Sequence, residues 1–440
     1  MLPSVPCGCL SVAGGARAKN SKKGGEMSSI KLPQLAWYGA RELELSFPDR
    51  WPVKLYNFAG SDKPALKPEE IRQAIANPIG SPPIRELARG KKEVVIIFDD
   101  MTRVTRIYDM VPFVLEELAS AGIPDSRIQF ICALGSHMAW DRTLLEKKLG
   151  REVLGRFPVY NHNPFNKCTY VGTTSYGTAV YVNGEVMNCD LKIAIGSVVP
   201  HPNSGFGGGG KIILPGICAM ETIEHFHRQE FEFRERYPDK QLTGVGVFNE
   251  NPLRLNIEEA SALVGLDIKV DSLINMWGET VAIFAGALKP AYEAAVSAAK
   301  AHYLTPNPEA ENIIIANTYA KANESIMICL NTAFKVTNPG GSDVVLIANA
   351  PDGQVAHYLL GTFGKRTRCN IALAAKVPQN VNHVIIYSEY PDLAGRVYIE
   401  KSDKVLFMDN WGDVRKALEQ FHPSGAKVAV LPGAEIQYCR

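Results

Sequence analysis

The stretch His201–Gly216, HPNSGFGGGGKIILPG, puts a histidine, a glycine run and a lysine close together in the chain. Gly205 to Lys211 matches the phosphate-loop pattern G-x-x-x-x-G-K, but Ile212 stands where an NTPase carries the Ser or Thr that binds magnesium. Pro215 and Gly216 argue against a helix opening at the lysine. An NTPase site would therefore lack both its metal ligand and its helix dipole. Gly207, Gly208, Gly209 and Gly210 still let backbone amides approach an anion at little steric cost, as for a mononucleotide phosphate. The plainer alternative is a flexible glycine turn.

Further reactive types accompany this loop: Asp99, Asp100 and Arg103 in FDDMTR, His137 in LGSHMAW, and His225 and His227 in ETIEHFH. Taken singly, they read as a helix cap, a solvated loop residue and an exposed helix face. Taken together they can serve one reaction, since imidazoles with pKa near neutrality accept and return protons. An arginine suits bidentate carboxylate binding.

The elements around them place these residues at strand ends. KEVVIIFDD (92–100), RIQFICALGSH (127–137) and DLKIAIGSVVP (190–200) read as buried strands. YDMVPFVLEELASAG (108–122), DRTLLEKKLG and AMETIEHFHRQEFEFRERY read as helices, and TYVGTTSYGTAVYVNGEV as a hairpin. Such βαβ grammar implies an α/β fold with a mainly parallel sheet and functional residues at the carboxyl ends of its strands. An Ala-rich helical pattern over 275–310 leads to a second alternating set: ENIIIANTY, SDVVLIANA, HVIIYSEY, KVLFMD and KVAVLP. The expected organisation is a disordered leader over 1–30, an N-terminal cofactor-binding catalytic domain over 31–288 and a C-terminal α/β domain over 289–440, its last residues packing back on the first domain. A ligand cleft between the domains is the default.

Composition narrows the partners. With 47 basic against 46 acidic residues in 440, the chain has no electrostatic footprint for nucleic acid or anionic membranes, so a small molecule is expected. No window approaches the roughly 18 uncharged apolar residues of a membrane helix. The nine cysteines are odd in number and scattered, several in apolar runs, which fits reduced thiols and a cytoplasmic setting. Cys7 and Cys9 are too close for an ordinary bridge and lack a second ligand pair for zinc.

The motifs DDMTR, LGSH and PHPNSGFGGGGKIILPG followed by ETIEHFH resemble the nickel-pincer lactate racemase family of 2-hydroxyacid racemases and epimerases, from about residue 35 to near the end. The resemblance implies an isomerase whose cofactor is a nickel-pincer nucleotide, the nickel complex of pyridinium-3-thioamide-5-thiocarboxylic acid mononucleotide, joined covalently to Lys211. It implies His227 as the protein's nickel ligand, His137 and His201 as the acid/base pair, Asp100 and the glycines at the cofactor, and Arg103 at the substrate. Hydride would pass from Cα to the pyridinium and return to the opposite face of a 2-oxoacid. Cofactor-biosynthesis enzymes would be transient partners.

One segment departs from lactate-acting members. Their Tyr-Gln-x-x-Lys is matched by Tyr319-Ala320-Lys321-Ala322-Asn323, so Tyr319 and Asn323 become the expected substrate contacts and lactate a doubtful substrate. Lys321 would restore the charge only by leaving the face that helical pitch assigns it. Two other classes stay open: a zinc hydrolase using His201, His225 and His227, and a non-enzymatic module binding a nucleotide phosphate through the glycine loop.

Overall fold

A computed structural model describes residues 27–324, 326–365, 367 and 374–440. Most of the expected leader, with Cys7 and Cys9, and also Cys369 lie outside the described residues. Two six-stranded sheets carry the fold. The first runs in the order Thr280–Gly286, Ile268–Ile274, Leu191–Ser197, Val94–Asp99, Ile128–Ala133, Val159–Asn161, parallel except for the antiparallel edge Thr280–Gly286. The second runs Val405–Met408, Val381–Tyr387, Ser342–Ile347, Ile313–Asn317, Val428–Leu431, Val53–Leu55 and is parallel throughout.

The unbroken apolar runs are explained by burial on both faces. In Val94–Asp99, Val94, Ile96 and Phe98 enter one core while Val95 and Ile97 enter another on the opposite face. In Ile313–Asn317, Ile314 and Ala316 part from Ile313 and Ile315 in the same way. Register then sets the height of the strand ends. Phe98 lies beside both Cys132 and Ile195, so the three central strands of the first sheet release their chains side by side, ahead of Asp100, His137 and His201.

Three expectations need correction. Residues 280–286, expected as helix, form the antiparallel edge strand, because the run TVAIFAG is β-branched and aromatic and finds a partner in Ile268–Ile274. The helix that follows, Leu288–His302, packs on those two strands of the first sheet rather than opening the second, burying Ala291, Tyr292, Ala295, Val296 and Ala299. The chain from Met27 belongs with the second sheet. Met27–Gln34 and Arg41–Pro48 pair as a hairpin beginning inside the expected leader, Phe47 meets Trp411, and Val53–Leu55 completes the sheet edge. At the other terminus, Tyr438–Cys439 pairs with Leu304–Thr305, and Tyr438 lies against Phe206 of the first half.

Among the described residues, no helix is long and apolar enough to cross a membrane. Cys132, Cys189, Cys218 and Cys329 are buried free thiols.

Asn317 ties the hairpin to the second sheet: its Nδ2 donates to Pro33 O at 3.0 Å and Pro432 O at 2.8 Å, all fully buried. Asn317→Leu strands both carbonyls and is expected to lower the unfolding free energy by about 2–4 kcal/mol in urea titration. A loss under about 1 kcal/mol would show that the tie is not structural.

Candidate active site

The loop after Val94–Asp99 is organised by one ammonium. Lys148, on the helix Arg142–Leu149, has no exposed surface, and its Nζ reaches Asp99 Oδ1 at 2.7 Å, Asp100 O at 2.9 Å and Arg103 O at 2.7 Å. That grip sets Asp100. Its Oδ1 accepts from Thr102 N at 3.0 Å and Thr102 Oγ1 at 2.5 Å, while Oδ2 lies 2.7 Å from His137 Nδ1. Burial opposes ionisation of Asp100, but His137, Arg103 and Thr102 together hold its carboxyl well below the usual range. A carboxylate can only accept, so His137 carries its proton on Nδ1 and leaves Nε2 as a base.

His201 is fixed in the opposite tautomer. Its Nδ1 accepts from the backbone amides of Asn203 (3.2 Å) and Ser204 (3.3 Å), so the ring proton sits on Nε2. Burial, followed by the charges of Lys211, Lys321 and Arg103, pushes its pKa well below the ordinary value and keeps the ring neutral. Lys211 is pulled down to about 7, by burial first and Arg103 second, with Glu324 opposing. An amine in that range has a substantial neutral, nucleophilic fraction at physiological pH.

The glycines divide by role. Gly207 and Gly208 line the cavity. Gly209 and Gly210 are packing positions: a Cβ on Gly209 would stand 2.6 Å from the Tyr292 ring, and one on Gly210 would meet Ser261 and Ile257 of the helix Pro252–Val264. The anion nest expected here is largely closed, because Gly207 N donates to Val199 O (2.7 Å), Gly209 N to Asp271 Oδ2 (2.8 Å) and Lys211 N to Gly208 O (3.2 Å).

His227 lies on the helix Met220–Arg236 and donates Nδ1–H to Ile223 O at 2.8 Å, one turn back, which leaves Nε2 as the free lone pair. Burial holds its pKa down to about 4, so the ring is neutral and competent to ligate a metal. His225 turns elsewhere, to Thr178 Oγ1 at 3.2 Å.

These groups share one cavity. Asp100, Arg103, His137, His201, Gly207, Gly208, Lys211 and His227 line it, together with Lys269, Glu324 and His357. They sit deep in the protein envelope yet keep surface open to this space.

Residues 38–237 match the family model described as the lactate racemase N-terminal domain. The chain is 27% identical over 333 residues to the lactate racemase of Lactiplantibacillus plantarum, covering 74% of this chain and 76% of that one. It is 30% identical over 264 residues to the lactate racemase of Thermoanaerobacterium thermosaccharolyticum, covering 59% of each. The chain is similar to the lactate racemase family, and its residues 38–237 carry the matching N-terminal domain. Solved structures show the same fold: the lactate racemase apoprotein of T. thermosaccharolyticum superposes with a TM-score of 0.71 at 21% identity, over 94% of this chain and all of that one. A Thermotoga maritima protein superposes with a TM-score of 0.62 at 18% identity, over 86% and 99%.

Tyr319 and Asn323 do not join the cavity. They line a separate crevice with Met101 and Ala320, and the Tyr319 hydroxyl donates to Trp277 O at 3.1 Å. The physical reason is local: residues 320–324 form tight turns rather than helix, so helical pitch misplaces their side chains. Lys321, expected on another face, turns inward to within 3.5 Å of Glu324 Oε2, and Glu324 meets Arg103 Nη1 at 2.8 Å. Asp100, expected at the cofactor, has both oxygens committed to Thr102 and His137.

Sequence reasoning missed Lys269, Glu324 and His357. Lys269 carried a signal, being a charge beside Asp271 in the otherwise apolar run DIKVDSLI; its Nζ lies 2.6 Å from Asp271 Oδ1. His357 arrives from the second half through backbone pairing: Tyr358 N donates to Ser136 O at 2.8 Å and Met138 N to Ala356 O at 3.1 Å, placing its ring 5.1 Å from that of His137. No sequence pattern announces that contact. Among the described residues no three His, Cys, Asp or Glu side chains are grouped to hold a metal ion, so His201, His225 and His227 do not form the zinc site of a hydrolase.

Lys148→Met, which keeps much of the volume and removes the charge, leaves Asp99 and two carbonyls without their partner. Unfolding free energy is expected to fall by about 3–5 kcal/mol. A variant as stable as the parent would show that the loop holds its shape without the ammonium.

Proposed function

We propose that the protein is a racemase or epimerase of a 2-hydroxyacid that works with a nickel-pincer nucleotide joined to Lys211. The observation that carries this is the convergence on one cavity of a basic Nε2 on His137, an Nε2–H on His201, a lysine with depressed pKa and the free Nε2 of His227. The donor set suits the group. Lys211 can form the covalent link, His227 offers a single neutral imidazole for nickel, and Gly207 and Gly208 bring backbone without side chains to the cavity wall. When bound, the nucleotide supplies a two-electron acceptor, which no side chain can be.

The remaining work falls to the chain. Arg103 uses Nη1 on Thr102 and Glu324, and its other nitrogens make no hydrogen bond among the described residues, leaving them for the substrate carboxylate. His137 Nε2 removes the hydroxyl proton, and Asp100 stabilises the imidazolium that forms. When the 2-oxoacid lies the other way round, His201 Nε2–H gives its proton to the carbonyl oxygen as the carbon is reduced, restoring the hydroxyl. The opposite stereochemical course requires the protons on the two rings to redistribute. Ala320 and Asn323, which stand where lactate-acting members carry Gln and Lys, lie in the separate crevice, so selectivity among 2-hydroxyacids falls to the residues that line the cavity. Buried free thiols support a cytoplasmic setting, and the cofactor-making enzymes would be transient partners.

Protein purified from a cofactor-making host is expected to carry added mass on the peptide containing Lys211 and on no other. An unmodified Lys211 in demonstrably active protein would refute the attachment. His227→Ala should lower retained nickel at least tenfold by elemental analysis, while His225→Ala leaves it within twofold; the reverse order would move the metal to His225.

A further inference from the structure

Glu324 is an unexpected tenant of a site meant for anions. It is 7% exposed and lines the cavity with His137, His201 and Lys211. Its Oε2 stands 2.8 Å from Arg103 Nη1 and 3.5 Å from Lys321 Nζ, ion-pair contacts that fall short of well-formed hydrogen bonds. Buried polar atoms without such partners are uncommon and concentrate where a ligand or water completes the set. Burial would raise the Glu324 pKa, but Arg103, Lys321 and His137 bring it down to about 2, so the group is an anion that only accepts.

The geometry limits what the missing partner can be. Arg103 shares its Nη1 between Thr102 and Glu324, and the nitrogens left for a substrate carboxylate belong to the same guanidinium. Arg103 and Glu324 line the same cavity, so the carbons beyond a carboxylate held by Arg103 extend into space that Glu324 borders. A methyl group would give Oε2 no donor beyond its two ion-pair contacts. A second carboxylate would meet like charge, at a cost that Lys321 only partly offsets. A hydroxyl donates to Oε2 and has lone pairs left for Lys321 Nζ.

We propose that Glu324 is a specificity-determining residue that recognises a C3 hydroxyl, so that the substrates are 2,3-dihydroxymonocarboxylates, the chemical class of glycerate and the aldonates. This rests on the hydroxyacid racemase function proposed above and narrows it. Lactate, with its C3 methyl, and malate, with its second carboxylate, are disfavoured for opposite reasons. A site built around a substrate hydroxyl rejects the analogue lacking it far more strongly than an apolar pocket rejects a missing methylene.

The test uses full-length protein loaded in a cofactor-making host, with enantiopure glycerate, lactate and malate. Turnover is followed by chiral chromatography and binding by calorimetry. Glycerate is expected to exceed lactate at least tenfold in kcat/KM, with malate lowest. Glu324→Gln is expected to cut the glycerate-to-lactate ratio at least tenfold and to raise malate relative to both. Should Glu324→Gln fail to fold, Glu324→Asp, which withdraws the carboxylate by one carbon, must lower the same ratio. A parent enzyme preferring lactate or malate, or a variant that keeps the parent's ratio, overturns the assignment while leaving the racemase function standing. If no acid is interconverted but calorimetry shows a glycerate preference that Glu324→Gln loses, the selectivity stands and the racemase function falls.

Discussion

The buried ammonium of Lys148 is the constraint on which the site depends. It stands behind the carboxyl end of a central strand and takes Asp99 together with the carbonyls of Asp100 and Arg103. A loop that would otherwise be free after the strand is thereby pinned at three points. Asp100 is then held where it fixes the tautomer of His137, and Arg103 where it spans to Glu324. One side chain from a neighbouring helix thus determines which nitrogen of a histidine is basic and where a carboxylate would dock.

Electrostatics complete what that geometry begins. Arg103, Lys211 and Lys269 line one cavity; Glu324 pairs with Arg103 and with Lys321 beside it, and Asp271 pairs with Lys269. Burial first, and those charges after it, drive protons off the weaker bases: His201 is held neutral, His227 is brought to about 4 and Lys211 to about 7. Neutral imidazoles can exchange protons or bind a metal, and a neutral amine can be acylated. Burial that would be a liability in a structural core here sets the reactive form of each group.

How much was legible in the sequence follows from where each signal resides. Strands such as VVIIFD and DVVLI stood out because both their faces are buried, and the strand-end rule then brought Asp100, Arg103, His137 and His201 together. The family resemblance singled out His227 over His225. The rest depended on tertiary context. TVAIFAG became a strand only because Ile268–Ile274 offers it an edge. The charges in DIKVDSLI obscured a fully buried strand that neutralises Lys269 with Asp271 internally. Residues 320–324 abandon helical pitch for turns, which exchanged Asn323 for Lys321 and Glu324 at the site. His357 is brought in by pairing with a loop more than two hundred residues earlier, a relation that local pattern does not encode.

The central claim is that the stereocentre is remade by transfer of hydrogen with its electron pair, the histidines handling only the hydroxyl proton. The most direct measurement is the fate of deuterium at C2 of the hydroxyacid during racemisation in ordinary water. Deuterium carried by a hydride does not mix with solvent, so the inverted product should retain the label at C2. Product that has exchanged its C2 deuterium for solvent hydrogen would show that His137 or His201 abstracts the carbon-bound proton directly, and would contradict the account.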